Sequence, residues 1–218
     1  ILIESHKLQE AMPLIEHCIA QARLTDSPAN NAQAQYLQGR VYLESGRFTE
    51  SMEPLKHALT LASEIGYHRL ISMASLELSR IYRKRDELWK ALDCAETGIR
   101  SSLKTGDPME AILHIQSKAA VKADQGRFIE ADRLYSEALQ GLNVLLGKFT
   151  SAHSRAFLVA RMSDLYTDYF SLALLKLKDP AKAFIVLEQA RGRSISDSLQ
   201  GRWIDAASTE VKNDQNPN

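Results

Sequence analysis

The side chains able to do chemistry are scattered along the chain. Six histidines, His6, His17, His57, His68, His114 and His153, stand roughly one or two to every forty residues. None falls in the HxxxH or HExxH spacing that places two metal ligands on one helical face. Cys18 and Cys94 lack CxxC or Cys/His spacing. Each sits in a helical apolar pattern, so each reads as a small buried residue in a reducing compartment. No glycine-rich phosphate loop, GxSxG or DxDxDG motif occurs. The sequence therefore assigns no catalytic residue, no metal and no cofactor, and the expectation is a chain that is not itself an enzyme. What remains is arginine: Arg40, Arg80 and the run Arg83-Lys84-Arg85. A guanidinium fork suits a carboxylate, including that of an acidic peptide or a chain terminus.

Charge narrows the partners. Lys plus Arg is 27 and Asp plus Glu is 27, so there is no surplus of cations to displace phosphate counterions, and nucleic acid is not expected. No apolar stretch approaches the roughly 18 residues of a membrane span. The sequence opens Ile1-Leu2-Ile3-Glu4, without Met or a charged-then-apolar leader. It reads as an excised piece of a longer protein, working in the cytoplasm.

The elements that must position these residues repeat. Gly46-Arg47-Phe48-Thr49-Glu50-Ser51, Asp86-Glu87-Leu88-Trp89-Lys90-Ala91 and Gly126-Arg127-Phe128-Ile129-Glu130-Ala131 follow one another at steps of 40. A step back, His6-Lys7-Leu8-Gln9-Glu10-Ala11 matches in its second half. Gly66 and Gly106 form a second series at the same step, with Gly147 one residue late. These glycines are expected to close helices in the left-handed conformation. Two interleaved series at one period mean two helices per unit. The intervening apolar residues recur every three or four positions, as in Met52, Leu55, Leu59 and Ala62, and strand-like alternation is absent. Ser27-Pro28, Asp107-Pro108 and Asp179-Pro180 place an N-cap before a proline at the first helical position. Glu110 adds a capping box to Asp107. Pro13 and Pro54 fall early in second helices and predict mild kinks.

These residues resemble the tetratricopeptide repeat. Gly39, Tyr42, Gly46, Phe48 and Ala58 occupy its small, aromatic and turn positions in one unit, Tyr82, Leu88 and Ala91 in the next, and Gly126, Phe128, Ala131, Tyr135 and Ala138 in a third. The usual unit is about 34 residues. The longer step here is similar to the elongated repeats of signalling ATPases and kinesin light chains. The resemblance implies an all-α superhelix, a solenoid of about four hairpins over residues 1–200. A partial first unit at 1–26 precedes units at 27–66, 67–106 and 107–147 and a long terminal hairpin at 151–200. Residues 201–218 read as a polar linker or disordered tail.

In this fold the first helix of each hairpin lines a concave groove, the default site for a protein or peptide partner. The 40-residue step aligns Tyr36 with Leu76 and Gln116, Arg40 with Arg80, and Leu43 with Arg83. Gln33 and Met73 complete the candidate set. The competing reading of the arginines is a solvated helix face beside a charged turn. The peptide-terminus clamp of chaperone-binding relatives is not expected, because Glu77 stands where an Asn is needed and Leu113 replaces a Lys.

Beyond Gly147 the register changes. Residues 151–178 contain no Gly or Pro and predict one long helix striped by Leu158, Met162, Leu165, Tyr169 and Leu172. The last hairpin keeps Ala183, Leu187 and Ala190 at repeat spacing. From Phe184 through Glu188, Ala190, Arg191, Arg193 and Asp197 to Leu199 the string resembles the helix that precedes a CHAT domain, a caspase-like cysteine-protease fold. That implies a scaffold that binds a partner and regulates a downstream protease domain. A rival is the sensor arm of a transcriptional regulator or signalling ATPase, and a third is a purely structural assembly scaffold. Tyr166, Tyr169 and Phe170 read as core, and Trp203, isolated among polar residues, as an anchor for a partner or the next domain.

Overall fold

A computed structural model describes residues 8–190. The expectations for His6, Arg191, Arg193, Asp197, Leu199, Trp203 and the 201–218 tail lie outside the described residues. The described residues are almost entirely helical: α1 (Leu8–Leu24), α2 (Pro28–Glu44), α3 (Phe48–Glu64), α4 (His68–Lys84), α5 (Leu88–Thr105), α6 (Pro108–Asp124) and α7 (Phe128–Gly147), then α8 (Ala152–Arg161), α9 (Ser163–Ser171), a π-helical turn (Leu172–Lys176) and α10, residues 180–190. This is a helical-repeat solenoid fold.

The 40-residue step now has a physical content. α2, α3, α4 and α6 are each 17 residues long, and short turns such as Ser45–Arg47 and Ile65–Tyr67 join them. Each turn must reverse the chain at once, which calls for a left-handed residue. Gly46, Gly66, Gly106 and Gly126 supply it at φ 67 to 75°. Asp86 takes the same conformation at φ 59°, which a short polar side chain tolerates better than most. Gly147 does not. It is the last residue of α7 and keeps negative φ.

The caps divide. Asp107 Oδ1 accepts from the amides of Met109 (3.0 Å) and Glu110 (3.2 Å), and Asp179 Oδ1 accepts from Lys182 N (2.9 Å). Ser27 makes no side-chain cap bond. The Glu110 carboxylate, expected to turn back on its own helix start, accepts from Ser72 of α4. Helices α1 and α3 run through Pro13 and Pro54 without a break.

The described residues fall into two compact units, divided after Gly126. In the first, each helix packs on the next in sequence; α4 also touches both α2 and α6, whereas α3 and α5 scarcely meet. The first helices therefore crowd on the inner side of the layer pair. The core runs through Tyr36, Leu55, Ala58, Leu70, Ala74, Leu78, Ile81 and Val121. Full burial of a leucine such as Leu55, Leu70 or Leu78 stabilises by about 1.5–3 kcal/mol. Small residues set the spacing: at Gly39 a Cβ would stand 2.5 Å from Leu55 Cγ.

The second unit differs from expectation. Residues 151–178 form two helices and a π turn rather than one helix, and the break falls at Met162 (φ −104°, ψ 15°). No Gly or Pro marks it; the local sign is Ser163-Asp164, helix-start residue types directly after the break. The apolar stripe holds nonetheless: Leu158, Met162, Leu165, Tyr169 and Leu172 are all buried. Tyr166 is buried as well, Phe170, also expected in the core, is only half-buried, and Tyr135 stacks on Tyr169 at 5.6 Å between ring centroids. Asp132 closes this unit. It accepts from Tyr169 Oη (3.0 Å) and from Lys182 Nζ through both oxygens (2.9 and 2.8 Å), tying α7 to α9 and α10. Ala183 is buried and Ala190 half-buried on α10.

Candidate functional site

The inner layer of the first unit brings the predicted groove residues of α2, α4 and α6 side by side, in three degrees of exposure. Tyr36, Leu76 and Gln116 are buried, and Gln33, Leu43 and Met73 are half-buried. Leu43 and Met73 pack against the central core cluster. The arginines reach solvent: the Arg80 side chain is 48% exposed, that of Arg83 40% and that of Arg40 29%.

Each arginine already faces a carboxylate. Arg40 Nη2 lies 3.1 Å from Glu44 Oε1, Arg80 Nη1 3.7 Å from Glu77 Oε2, and Arg83 Nε 2.6 Å from Asp124 Oδ2. The first two pairs were readable as helical neighbours at i,i+4 and i,i+3. The third joins α4 to α6 and needed the fold. The face is thus a mosaic of both signs rather than a basic ladder. Exposed pairs of this kind contribute about 0–1 kcal/mol each, so an incoming carboxylate can join or replace them at little cost.

The neighbouring basic turn is also engaged. Lys84 Nζ sits 4.2 Å from the centre of the Phe48 ring, and Arg85 Nε donates to Glu87 at 2.7 Å. Burial first, then the charge of Glu77, pushes the Tyr36 phenol up to about 12. Burial works against the charge on Arg40, but Tyr36, Glu44 and Glu77 outweigh it and hold its pKa above the ordinary value.

Beneath this face runs a polar seam that the sequence reading missed. Ser72, Ser75 and Ser79 line one side of α4, all buried, and Ser72 and Ser79 bond to residues of α6. Ser72 Oγ donates to Glu110 Oε2 at 3.1 Å and lies 2.9 Å from His114 Nε2. Since the hydroxyl has one proton, spent on Glu110, the imidazole must carry its proton on Nε2 and donate to Ser72. Ser79 Oγ donates to the Ala91 carbonyl at 2.8 Å and accepts from Ser117 Oγ at 2.8 Å by the same reasoning.

Serine, histidine and glutamate in contact invite comparison with a nucleophilic triad. The order is wrong: the carboxylate holds the serine, not the far nitrogen of the imidazole, so nothing orients the ring as a base. His114 is fully buried, and desolvation, opposed by its bond to Ser72 and aided by the charge of Arg80, lowers its pKa to about 4. This is a neutral packing group. The signal for it was a serine at every three or four positions of α4, a small-residue stripe opposite Gly98 and His114.

Among the described residues no group of His, Cys, Asp and Glu could hold a metal ion, and no helix is long and apolar enough to cross a membrane. Cys18 is exposed and Cys94 buried. Burial, reinforced by Asp93, pushes the Cys94 thiol up to about 12, so it is no nucleophile.

No family model matches the chain, and no curated protein does. Among solved structures, the fold is similar to the nearly identical TPR-like repeats crystallised from Podosopora anserina under the name of a kinesin light chain. The TM-score is 0.65 at 19% identity, over 89% of this chain and 90% of that one. The class is therefore a tetratricopeptide-like α-solenoid. At this identity the likeness speaks for the fold alone.

Proposed function

We propose that the chain is a protein–protein interaction scaffold that holds a segment of another protein against the α2/α4/α6 face. The carrying observation is the alignment of Arg40, Arg80 and Arg83 on one inner layer, each partly exposed and each in a weak, exchangeable carboxylate pair. An acidic segment or chain terminus suits the arginines. The half-buried Leu43 and Met73 offer apolar contact between them. The face carries no phosphate-binding loop or metal site, and the reading assigns the chain no reaction of its own.

The test is selection of bound peptides from a random display library, followed by titration of the winners by calorimetry. Acidic winners whose binding falls at least tenfold in Arg40→Glu/Arg80→Glu, with helicity and melting retained, support the reading. Undiminished binding to that variant would show the arginines to be a solvated face.

The string from Phe184 to Leu199 supports a second, finer reading in which the array regulates a CHAT-type protease within a longer cytoplasmic protein. A reading frame continuing into a caspase-like domain with a His/Cys pair is expected. A winged-helix or nucleotide-binding domain in its place would favour the regulator or ATPase arm instead.

A further inference from the structure

A cleft opens between two second helices of the first unit. α1 and α3 both pack on α2 yet scarcely meet each other. The space between them is about 530 Å³, inside the roughly 300–1,000 Å³ range of small-ligand sites. Its floor is the amide of Gln35 on α2. Its walls include Arg23 of α1 and Glu53, Lys56, His57 and Thr60 of α3. It is thus distinct from the α2/α4/α6 face.

Gln35 alone among these groups is buried, at 6% exposure. Among the described residues its side chain has no hydrogen-bond partner, although it lines the cleft. A buried amide needs a partner, and here the partner must come from the cleft. Arg23 is exposed and has no carboxylate beside it among the described residues. Lys56 has one: Nζ donates to Glu53 Oε1 at 2.8 Å, but that carboxylate is 83% exposed, so the pair is weak and exchangeable.

Three helices therefore offer donors to one space, a guanidinium, an ammonium, an imidazole, an amide and a hydroxyl, against a single carboxylate. The repeat does not require this. Forty residues on, the equivalent positions hold Ser63, Ser75, Asp93, Glu96, Thr97 and Arg100, where carboxylates outnumber the one cation. Donors from several directions suit a tetrahedral oxyanion better than a planar carboxylate, whose two oxygens one guanidinium fork satisfies. A phosphate monoester has three terminal oxygens and a charge of about −1.5 to −2 at neutral pH.

We propose that the α1/α2/α3 cleft binds a phosphate monoester. Arg23 and Lys56 meet its charge, the Gln35 amide and Thr60 hydroxyl donate to its oxygens, and the esterified group occupies the remaining space. The proposal does not rest on the groove.

Calorimetric titration of the full-length chain with O-phosphoserine tests it, with serine and glutamate as references. Phosphoserine should bind saturably and the references about tenfold or more weaker. Arg23→Gln/Lys56→Gln alters two side chains that reach solvent, so melting should hold while phosphoserine binding falls by about the same factor. Gln35→Leu should weaken binding severalfold with melting retained or raised. A Gly-Gly-phosphoserine-Gly-Gly peptide separates the sources. Binding as tight as free phosphoserine or tighter assigns a partner's phosphorylated side chain, and weaker binding a free phosphorylated molecule. No saturation by about 10 mM phosphoserine, ten times the Kd of a ~1 mM site, overturns the proposal. Equal affinity for glutamate, or unchanged affinity in Gln35→Leu, overturns it too. So does a loss confined to Arg40→Glu/Arg80→Glu, which would place the anion on the α2/α4/α6 face.

Discussion

His114 fills the space a side chain at Gly98 would need: a Cβ there would stand 1.9 Å from Cε1 and 2.1 Å from Nδ1 of the imidazole. The ring is wholly buried between α4, α5 and α6 and bonded to Ser72, so it cannot swing aside. Gly98→Ala should therefore destabilise the first unit by about 1–3 kcal/mol through overpacking, despite the ~1 kcal/mol that alanine gains over glycine within a helix. A urea titration measures it. The double variant Gly98→Ala/His114→Ala should recover part of the loss, and a Gly98→Ala chain as stable as the parent would contradict the packing described here.

Acid should loosen the same seam. The His114 pKa falls from 6.5 to about 4 on folding, so between those values the unfolded chain binds the extra proton. Stability from keeping this ring neutral is complete above about pH 6.5 and drains away as pH falls toward 4, by ~3 kcal/mol in all. The charge of Arg80 acts on the ring as well, and Glu110 meets it at the shared Ser72 hydroxyl. The difference between wild type and His114→Gln from pH 7 to 5.5 isolates the histidine. The wild type should lose stability across that interval and the variant much less.

Two serine and aspartate caps that look alike in sequence should behave differently. Asp107 accepts two amides and Ser27 none. Asp107→Ala is expected to cost about 1 kcal/mol and Ser27→Ala to stay within a few tenths. Equal losses in paired thermal melts would show that the cap bonds do not distinguish them.

In the second unit, Asp132 is the common acceptor for Tyr169 and Lys182. Asp132→Ala strands a phenol and an ammonium, both partly buried, and should destabilise the unit by roughly 1–3 kcal/mol. Lys182→Met removes one partner only and should cost less. Burial first and then Asp132 push the Tyr169 phenol up to about 12. In Asp132→Ala its ultraviolet titration should move toward lower pH.

What was legible and what was not follows from the range of each interaction. The helices, their turns and their 40-residue step rest on residues within a few positions of one another, and Gly46 or Pro108 announces them locally. The 40-residue step sets Tyr36 beside Leu76 and Gln116, but it cannot say how far each side chain sinks, and all three are buried. Arg40–Glu44 lay open to inspection as helical neighbours; Arg83–Asp124 did not, because it links one unit to the next. At Met162 the helix breaks without a glycine or proline, just before Ser163 and Asp164, residue types that favour helix starts over helix interiors.

The equality of the helices has a genetic corollary. Gly46 and Asp86 are equivalent points on the backbone, each a left-handed residue closing a first helix. An exchange between the coding stretches at such points removes or adds a whole forty-residue module, and every surviving helix meets the kind of neighbour it had before. A single inserted codon inside α4 would instead rotate each later side chain of that helix by about 100° and turn Leu78 and Ile81 out of the core. The array is therefore tolerant of change in large quanta and intolerant of it in small ones.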